Sequence, residues 1–183
     1  MTTYIILGII AIVLLWLILS YNRLISLRLR AKEALSDIEV QLKRRFDLIP
    51  NLVESVKGYM KHERGVLENV TKARAAVAHG SGNPIERAES ENMLSNTLKT
   101  LFAVAENYPD LKASANFLDL QRELSDTENK IQAARRFYNT TVMDLNTAVR
   151  TFPTNLMAGA FGFKEEVFFD APEAEKQPVR VQF

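Results

Sequence analysis

Residues 4–56 read YIILGIIAIVLLWLILSYNRLISLRLRAKEALSDIEVQLKRRFDLIPNLVESV, and two patterns meet in them. Residues 4–19 are sixteen in a row without a charge, most of them Ile, Leu, Val or Trp. Beyond them, counting sevens from Leu35 gives Leu42, Ile49, Val56, Glu63, Val70 and Val77, with Ile38, Arg45, Leu52, Tyr59, Val66 and Ala73 interleaved. Heptad spacing of this kind lays one apolar seam along a helix. The seam passes Pro50 without a change of phase. A break into two helices would normally reset that phase, so one helix over residues 21–77, bent at Pro50, is expected ahead of a hairpin. A full break at Pro50 would add one helix to the count. The run ends at His79-Gly80-Ser81-Gly82, where Gly80 suits a left-handed cap.

The uncharged stretch from Met1 to Asn22 covers 22 residues, enough for about 30 Å of helix and for one membrane crossing. A signal peptide would need a basic start and a small-residue cleavage site; Met1-Thr2-Thr3 has no Lys or Arg, and no Ala-x-Ala follows Leu19. Tyr4, Trp16 and Tyr21 stand near its ends, where amphipathic rings favour the interface. A retained single span is therefore expected. Arg23, Arg28, Arg30 and Lys32 follow it, whereas its N-terminal side has no basic residue. The positive-inside tendency places the body of the chain in the cytoplasm and a three-residue tail outside. Read blandly, these four are a solvated helix face, yet they stand near enough to anionic headgroups to favour the same orientation.

Further on, Asn83-Pro84-Ile85-Glu86 is a helix start, with Asn83 as cap and Pro84 at the first position. That helix carries Leu94, Leu98, Leu101, Phe102 and Ala105 and stops before Pro109. Asp110 can cap a last long helix reaching about Thr151. Phe117, Leu124, Ile131, Tyr138, Leu145 and Phe152 recur in it every seven residues, with Leu120, Thr127, Ala134, Thr141 and Ala148 between them. Large residues alternating with small ones let one long helix fit closely on another. The fold expected is all-α: an N-terminal transmembrane helix continuing into an elongated antiparallel bundle of three to four long helices. The segments are residues 1–20 as anchor, 21–153 as bundle, 154–169 as a Phe-rich docking segment and 170–183 as tail. Phe161, Phe163, Phe168 and Phe169 are too many aromatics for water and should dock on the bundle or on a partner. The end, Val179-Arg180-Val181-Gln182-Phe183, alternates like a short strand.

Composition narrows the chemistry. Hydrophobic residues make up 47% of the 183, with seven Gly and six Pro, which suits a packed helical core. A net charge of +1 lacks the basic signature of a dedicated nucleic-acid binder. With no cysteine, disulfides, thiolate chemistry and cysteine zinc sites are out. The two histidines, His62 and His79, have no Glu three residues before them, and His62-Glu63 meets Val66 where a metalloprotease helix needs its second His. No glycine-rich phosphate loop or serine nucleophile context is present. No metal and no cofactor are expected.

Polar residues in the seams remain. Arg45 and Glu63 stand in the first, and Gln121, Glu128 and Arg135 flank the last. One reading is a buried acid-base group. The other, favoured because an unpaired buried charge is so costly, is ion pairs that fix helix register.

The run Asp37-Ile38-Glu39-Val40-Gln41-Leu42-Lys43-Arg44-Arg45-Phe46-Asp47-Leu48-Ile49-Pro50-Asn51-Leu52-Val53-Glu54 closely resembles the signature of the bacterial LemA family. So do Val56-Lys57-Gly58-Tyr59 with His62-Glu63, and Tyr108-Pro109-Asp110-Leu111-Lys112. Phe117, Leu120-Gln121, Glu123-Leu124, Thr127-Glu128-Asn129, Ala134-Arg135, Tyr138-Asn139, Phe152-Pro153 and Phe161-Gly162-Phe163 continue the likeness in order. It spans residues 21–169. It implies one N-terminal span and an elongated helical bundle. One member of the family belongs to magnetosome membrane machinery, and the family's genes are often found near those for membrane zinc proteases or other small membrane proteins. The resemblance supplies no catalytic residue.

The expected function is a bacterial cytoplasmic-membrane scaffold or adaptor, not an enzyme, that self-assembles and docks other membrane proteins such as a membrane zinc protease. Arg44, Asp47, Asn51 and Glu54, near Pro50, are the expected partner-binding residues, together with the four phenylalanines. Helix-surface charge is their bland reading. The alternative is a membrane-shaping protein that binds anionic lipid through Arg23, Arg28, Arg30 and Lys32 and the Phe-rich segment. A hydrolase using carboxylates such as Glu63 and Glu128 comes third.

Overall fold

The structure, a computed structural model, describes residues 1–60, 62–80 and 82–169. The tail 170–183, with the strand-like end read from sequence, lies outside the described residues. Six α-helices occur among the described residues: α1 Thr2–Lys57, α2 Arg64–His79, α3 Ala88–Ala105, α4 Pro109–Lys112, α5 Ala115–Arg150 and α6 Thr154–Phe161. The fold is all-α, with four helices of sixteen residues or more. By packing the described residues divide into two units, Met1–Ser36 with Arg135–Phe168, and Asp37–Ala134 with Phe169.

In the second unit α1, α2, α3 and α5 run up-down-up-down. Phe46 of α1 meets Arg74 of α2 through the short connection 58–63, so these two are antiparallel. On α5, Glu128 meets Ser95 while Phe117 meets Phe102, so α5 runs against α3. The core gathers Ile49, Leu52 and Val56 of α1, Val70 and Val77 of α2, Leu94 and Leu101 of α3, Leu111, and Phe117 and Leu124 of α5. Each such side chain taken fully from water contributes about 1.5–3 kcal/mol.

This corrects the first-helix reading. Helix α1 continues through Pro50 and stops at Lys57. The chain turns back at Gly58, the poorest helix former short of proline, and the turn keeps Val56 and Met60 buried. The seam phase survives because both faces close on one core, even though the helix does not continue. Tyr59, counted in the seam, lies 45% exposed in that turn. The cap at residue 80 also differs: Gly80 is extended (φ −62°, ψ 124°), and its N–H donates to the Ala76 and Val77 carbonyls.

Asn83 Oδ1 accepts from the N–H of Ile85 at 2.9 Å and of Glu86 at 3.2 Å, yet regular helix begins only at Ala88. The last long helix likewise starts later than Asp110. Pro109 opens the one-turn α4, and α5 begins at Ala115. Helix α5 ends at Arg150, which leaves Phe152, counted in its seam, 78% exposed.

In the first unit residues 16–27 of α1 lie along the C-terminal part of α5. Leu24, Ala148, Met157, Ala158 and Phe163 form its cluster, with Trp16, Leu17, Ile25, Leu27 and Val149 packed against it. Helix α6 ends on Gly162, whose left-handed backbone (φ 70°) suits glycine. The extended stretch 163–168 then returns along α5. Among the described residues only α1 is long and apolar enough to cross a membrane.

Candidate interaction sites

The seam charge of α1 is among the most buried polar groups of the second unit. Arg45 is 1% exposed. Its guanidinium pairs with Glu91 of α3 at 2.5 Å and Glu128 of α5 at 2.6 Å, and donates to Ser95 Oγ and the Glu91 carbonyl. Ser95 donates in turn to Glu128 at 3.1 Å. One guanidinium thereby joins three helices. Sequence reasoning had Arg45 and Glu128 without their link, and it missed Glu91 and Ser95. A signal for both existed: Glu91 is in phase with Leu98 and Ala105, and Ser95 with Phe102, so each is a polar residue on a buried face.

Burial pushes the Glu128 carboxyl up, but Arg45 and the hydrogen bonds from Gln132, Ser95 and Arg45 outweigh it and hold the group below its ordinary value of 4.5. A carboxylate held ionised in this way is a weak base toward Ser95. The ion-pair reading expected Arg45 to have charged partners, and Glu91 and Glu128 are those partners. Beside it lies a cleft of about 640 Å³ lined by Arg45, Ser95, Lys99, Phe102, Leu118 and Glu128, among others. Glu63, the other seam charge, accepts from the Tyr108 hydroxyl at 3.4 Å, and burial and this carboxylate both push the phenol up. No three His, Cys, Asp or Glu side chains gather as a metal site among the described residues.

Arg44, Asp47, Asn51 and Glu54 follow each other at spacings of three and four, which sets them in one exposed stripe of α1 with Val40, itself 59% exposed. Two of the four form ion pairs among the described residues. Arg44 pairs with Glu123 of α5 at 2.6 Å, and Glu54 with Lys57 at 3.3 Å. Both are solvent-screened surface pairs.

In the first unit, Arg23 and Arg30 share one face of α1 and Arg28 and Lys32 another. All four are exposed, and none forms an ion pair among the described residues. Arg23 and Arg30 line a groove of about 450 Å³ with Asp144, Thr147, Thr151 and Thr154. Arg28 and Lys32 line one of about 470 Å³ with Tyr138 and Glu166.

The four phenylalanines part company. Phe163 is buried and Phe161 exposed, and both rings face Tyr21, at centroid distances of 5.9 and 5.0 Å. Phe168 is 46% exposed, and Phe169 is buried. The stretch carrying them docks on α5 through polar groups that the sequence did not announce. The Asn146 side-chain amide donates to the Glu166 carbonyl and accepts from the Glu166 N–H, both at 2.9 Å. The Tyr138 hydroxyl donates to the Val167 carbonyl at 2.9 Å, and Arg150 pairs with Glu165. Asn146 thus supplies one donor and one acceptor, as a neighbouring strand would.

A family model described as the LemA family matches residues 34–183. Among known proteins the chain is similar to Protein LemA of Metamycoplasma hominis, 28% identical over 158 residues, covering 86% of this chain and 72% of that protein. It is similar also to magnetosome protein MamQ of Magnetospirillum gryphiswaldense, 24% identical over 188 residues, covering 89% and 69%. Magnetosome protein MamQ 2 of Paramagnetospirillum magneticum matches to the same extent.

Proposed function

The chain belongs to the LemA family, and on that premise we propose that this membrane-associated helical protein is a non-catalytic adaptor, anchored by the apolar end of α1, that self-assembles and docks other membrane proteins. The observation that carries the reading is α1 itself. One helix supplies both the apolar span at its start and, at Arg45, the residue that ties three helices together. Partner docking falls to the exposed stripe of Val40, Arg44, Asp47, Asn51 and Glu54, where an apolar side chain stands among charges. Met93, Phe137 and Met143, each more than half exposed, add apolar surface for self-assembly. A membrane zinc protease is one partner of the right kind.

Mass measurement of the full chain in mild detergent tests the reading. An oligomer, or a co-purifying membrane protein that is lost with Asp47→Arg and Glu54→Arg, supports it. A strict monomer without companions overturns it. We place the body of the chain on the cytoplasmic face of a bacterial inner membrane, because the basic residues follow the span. Protease cleavage of the body in intact spheroplasts, with protection in inverted vesicles, would reverse that orientation.

A second reading, recognition of anionic lipid, is favoured by Arg23, Arg28, Arg30 and Lys32, which stand just past the span without carboxylate partners among the described residues. Each such cation near an anionic surface contributes about 1 kcal/mol. Replacing all four by Gln should abolish co-purification of anionic lipid with the chain. Unchanged lipid content would remove this reading.

A further inference from the structure

Residues 152–163, FPTNLMAGAFGF, carry no charge and lie between Arg150 and Lys164. Most of them form α6, which does not close on itself. Met157 and Ala158 are buried, whereas Phe152 is 78% exposed, Leu156 62% and Phe161 59%. Three large apolar side chains on one short uncharged segment are not a surface that a protein keeps in water.

The place of this segment in the fold shows what covers it. The cluster that holds Met157, Ala158 and Phe163 extends to Trp16 and Leu17, which belong to the apolar span. The Phe161 and Phe163 rings rest on Tyr21. Trp16 lies six residues, about 9 Å of helix, to the apolar side of Asn22. The headgroup layer on each side of a bilayer is about 5–8 Å deep. Helix α6 is therefore level with the Trp16–Tyr21 aromatic boundary. Its exposed apolar side chains thus stand beside the apolar stretch of α1, which is itself unburied.

We propose that α6 is an interfacial membrane helix: Phe152, Leu156 and Phe161 enter the boundary between headgroups and acyl chains beside α1, giving the chain a second, monotopic contact with the bilayer. Asn155, exposed on the same helix, is left to the headgroups. Met157 and Ala158 hold α6 on α1 and α5. Of the four phenylalanines expected to dock, Phe161 alone joins this contact, while Phe163 packs inside the cluster. The proposal rests on reading the start of α1 as a span and is independent of the adaptor reading.

Because the chain has no cysteine, spin labels report on single positions. Phe152→Cys and Leu156→Cys, both at exposed sites, are made in the full chain and reconstituted in vesicles of phosphatidylcholine and phosphatidylglycerol. Ile10→Cys marks the span and Thr140→Cys the exposed face of α5. Collisions with oxygen, which concentrates in lipid, are compared with collisions with a water-soluble nickel chelate. The expected result puts both labels, at 152 just before α6 and at 156 within it, about 5–10 Å into the headgroup and acyl boundary, shallower than Ile10 and protected from the chelate that reaches Thr140. Labels at 152 and 156 as open to the chelate as Thr140 would overturn the proposal. Labels shielded from both reagents would overturn it too, since protein rather than lipid then covers α6. If Ile10 is itself open to the chelate, the span reading fails and the proposal falls with it. An Ile10 label in lipid beside chelate-accessible α6 labels sinks only the α6 contact.

Discussion

Pro50 has no N–H to give the Phe46 carbonyl four residues earlier, and Arg74 Nε of α2 donates to that carbonyl instead, at 3.3 Å. The same guanidinium lies 4.0 Å from the centroid of the Phe46 ring, a cation–π contact. The acceptor that proline leaves empty is thus filled from a neighbouring helix, and α1 passes through Pro50 without ending.

This pairing predicts a coupling. Arg74→Met should cost about 1–2 kcal/mol through the lost hydrogen bond and ring contact. In a Pro50→Ala background, where residue 50 gives the Phe46 carbonyl its own helical donor, that cost should shrink by about 1 kcal/mol. Urea unfolding of the four proteins of the cycle, in micelles, measures it. Strictly additive effects would mean that Arg74 does not serve the proline gap.

At the Arg45 junction, removal of the cation should hurt more than removal of the whole pair. Arg45→Met leaves Glu91, 1% exposed, without its countercharge, at a cost of about 3–5 kcal/mol. Adding Glu91→Met should restore most of that loss, because Glu128, with its side chain 26% exposed, can turn toward water. Thermal unfolding followed by circular dichroism decides it, and a single variant as stable as the parent would contradict the buried-pair account.

Glu128 predicts an acid limb. Burial raises its carboxyl, but Arg45 and three hydrogen bonds prevail, so its folded value lies below the ordinary 4.5. Between the two values the unfolded chain binds more protons, so the stabilisation is complete above the ordinary value and is lost as pH falls through the folded one. Glu128→Gln should lower stability at neutral pH and flatten the loss as pH falls below the ordinary value. Urea midpoints across an acid series compare the two proteins, and parallel curves would remove Glu128 as the cause.

Asn146 should control the return stretch. Asn146→Ala deletes both bonds to the Glu166 backbone, worth about 1 kcal/mol each. Amide exchange at Glu166 should then quicken by roughly tenfold or more, while amides around Leu124 keep their rates. Asn146→Asp, which cannot donate to the Glu166 carbonyl when ionised, should also quicken exchange. An unchanged Glu166 rate in both variants would show that the stretch is held elsewhere.

Much of this could be read from residue order. The apolar segment at 4–19, the seam residues Ile49, Leu52 and Val56, and the series Phe117, Leu124, Ile131, Tyr138 and Leu145 all lie where periodicity put them. Arg45, a cation in an apolar row, announced that it needed partners. Asn146 announced nothing, because its role is to bond a backbone that arrives twenty residues later, and backbone groups leave no mark in a sequence.

The sequence by itself determined which faces are buried, that the chain is helical, and that its start is apolar enough to span a membrane, since these follow from spacing and composition alone. Tertiary structure decided where the helices end. Hydrophobic phase records burial, not continuity, so the turn at 58–63 could pass unseen while Val56, Val70 and Val77 kept their rhythm. Pro50 looked like the bend because its missing donor is a local fact. Its remedy, Arg74, lies on another helix, and only folding brings that guanidinium to the Phe46 carbonyl.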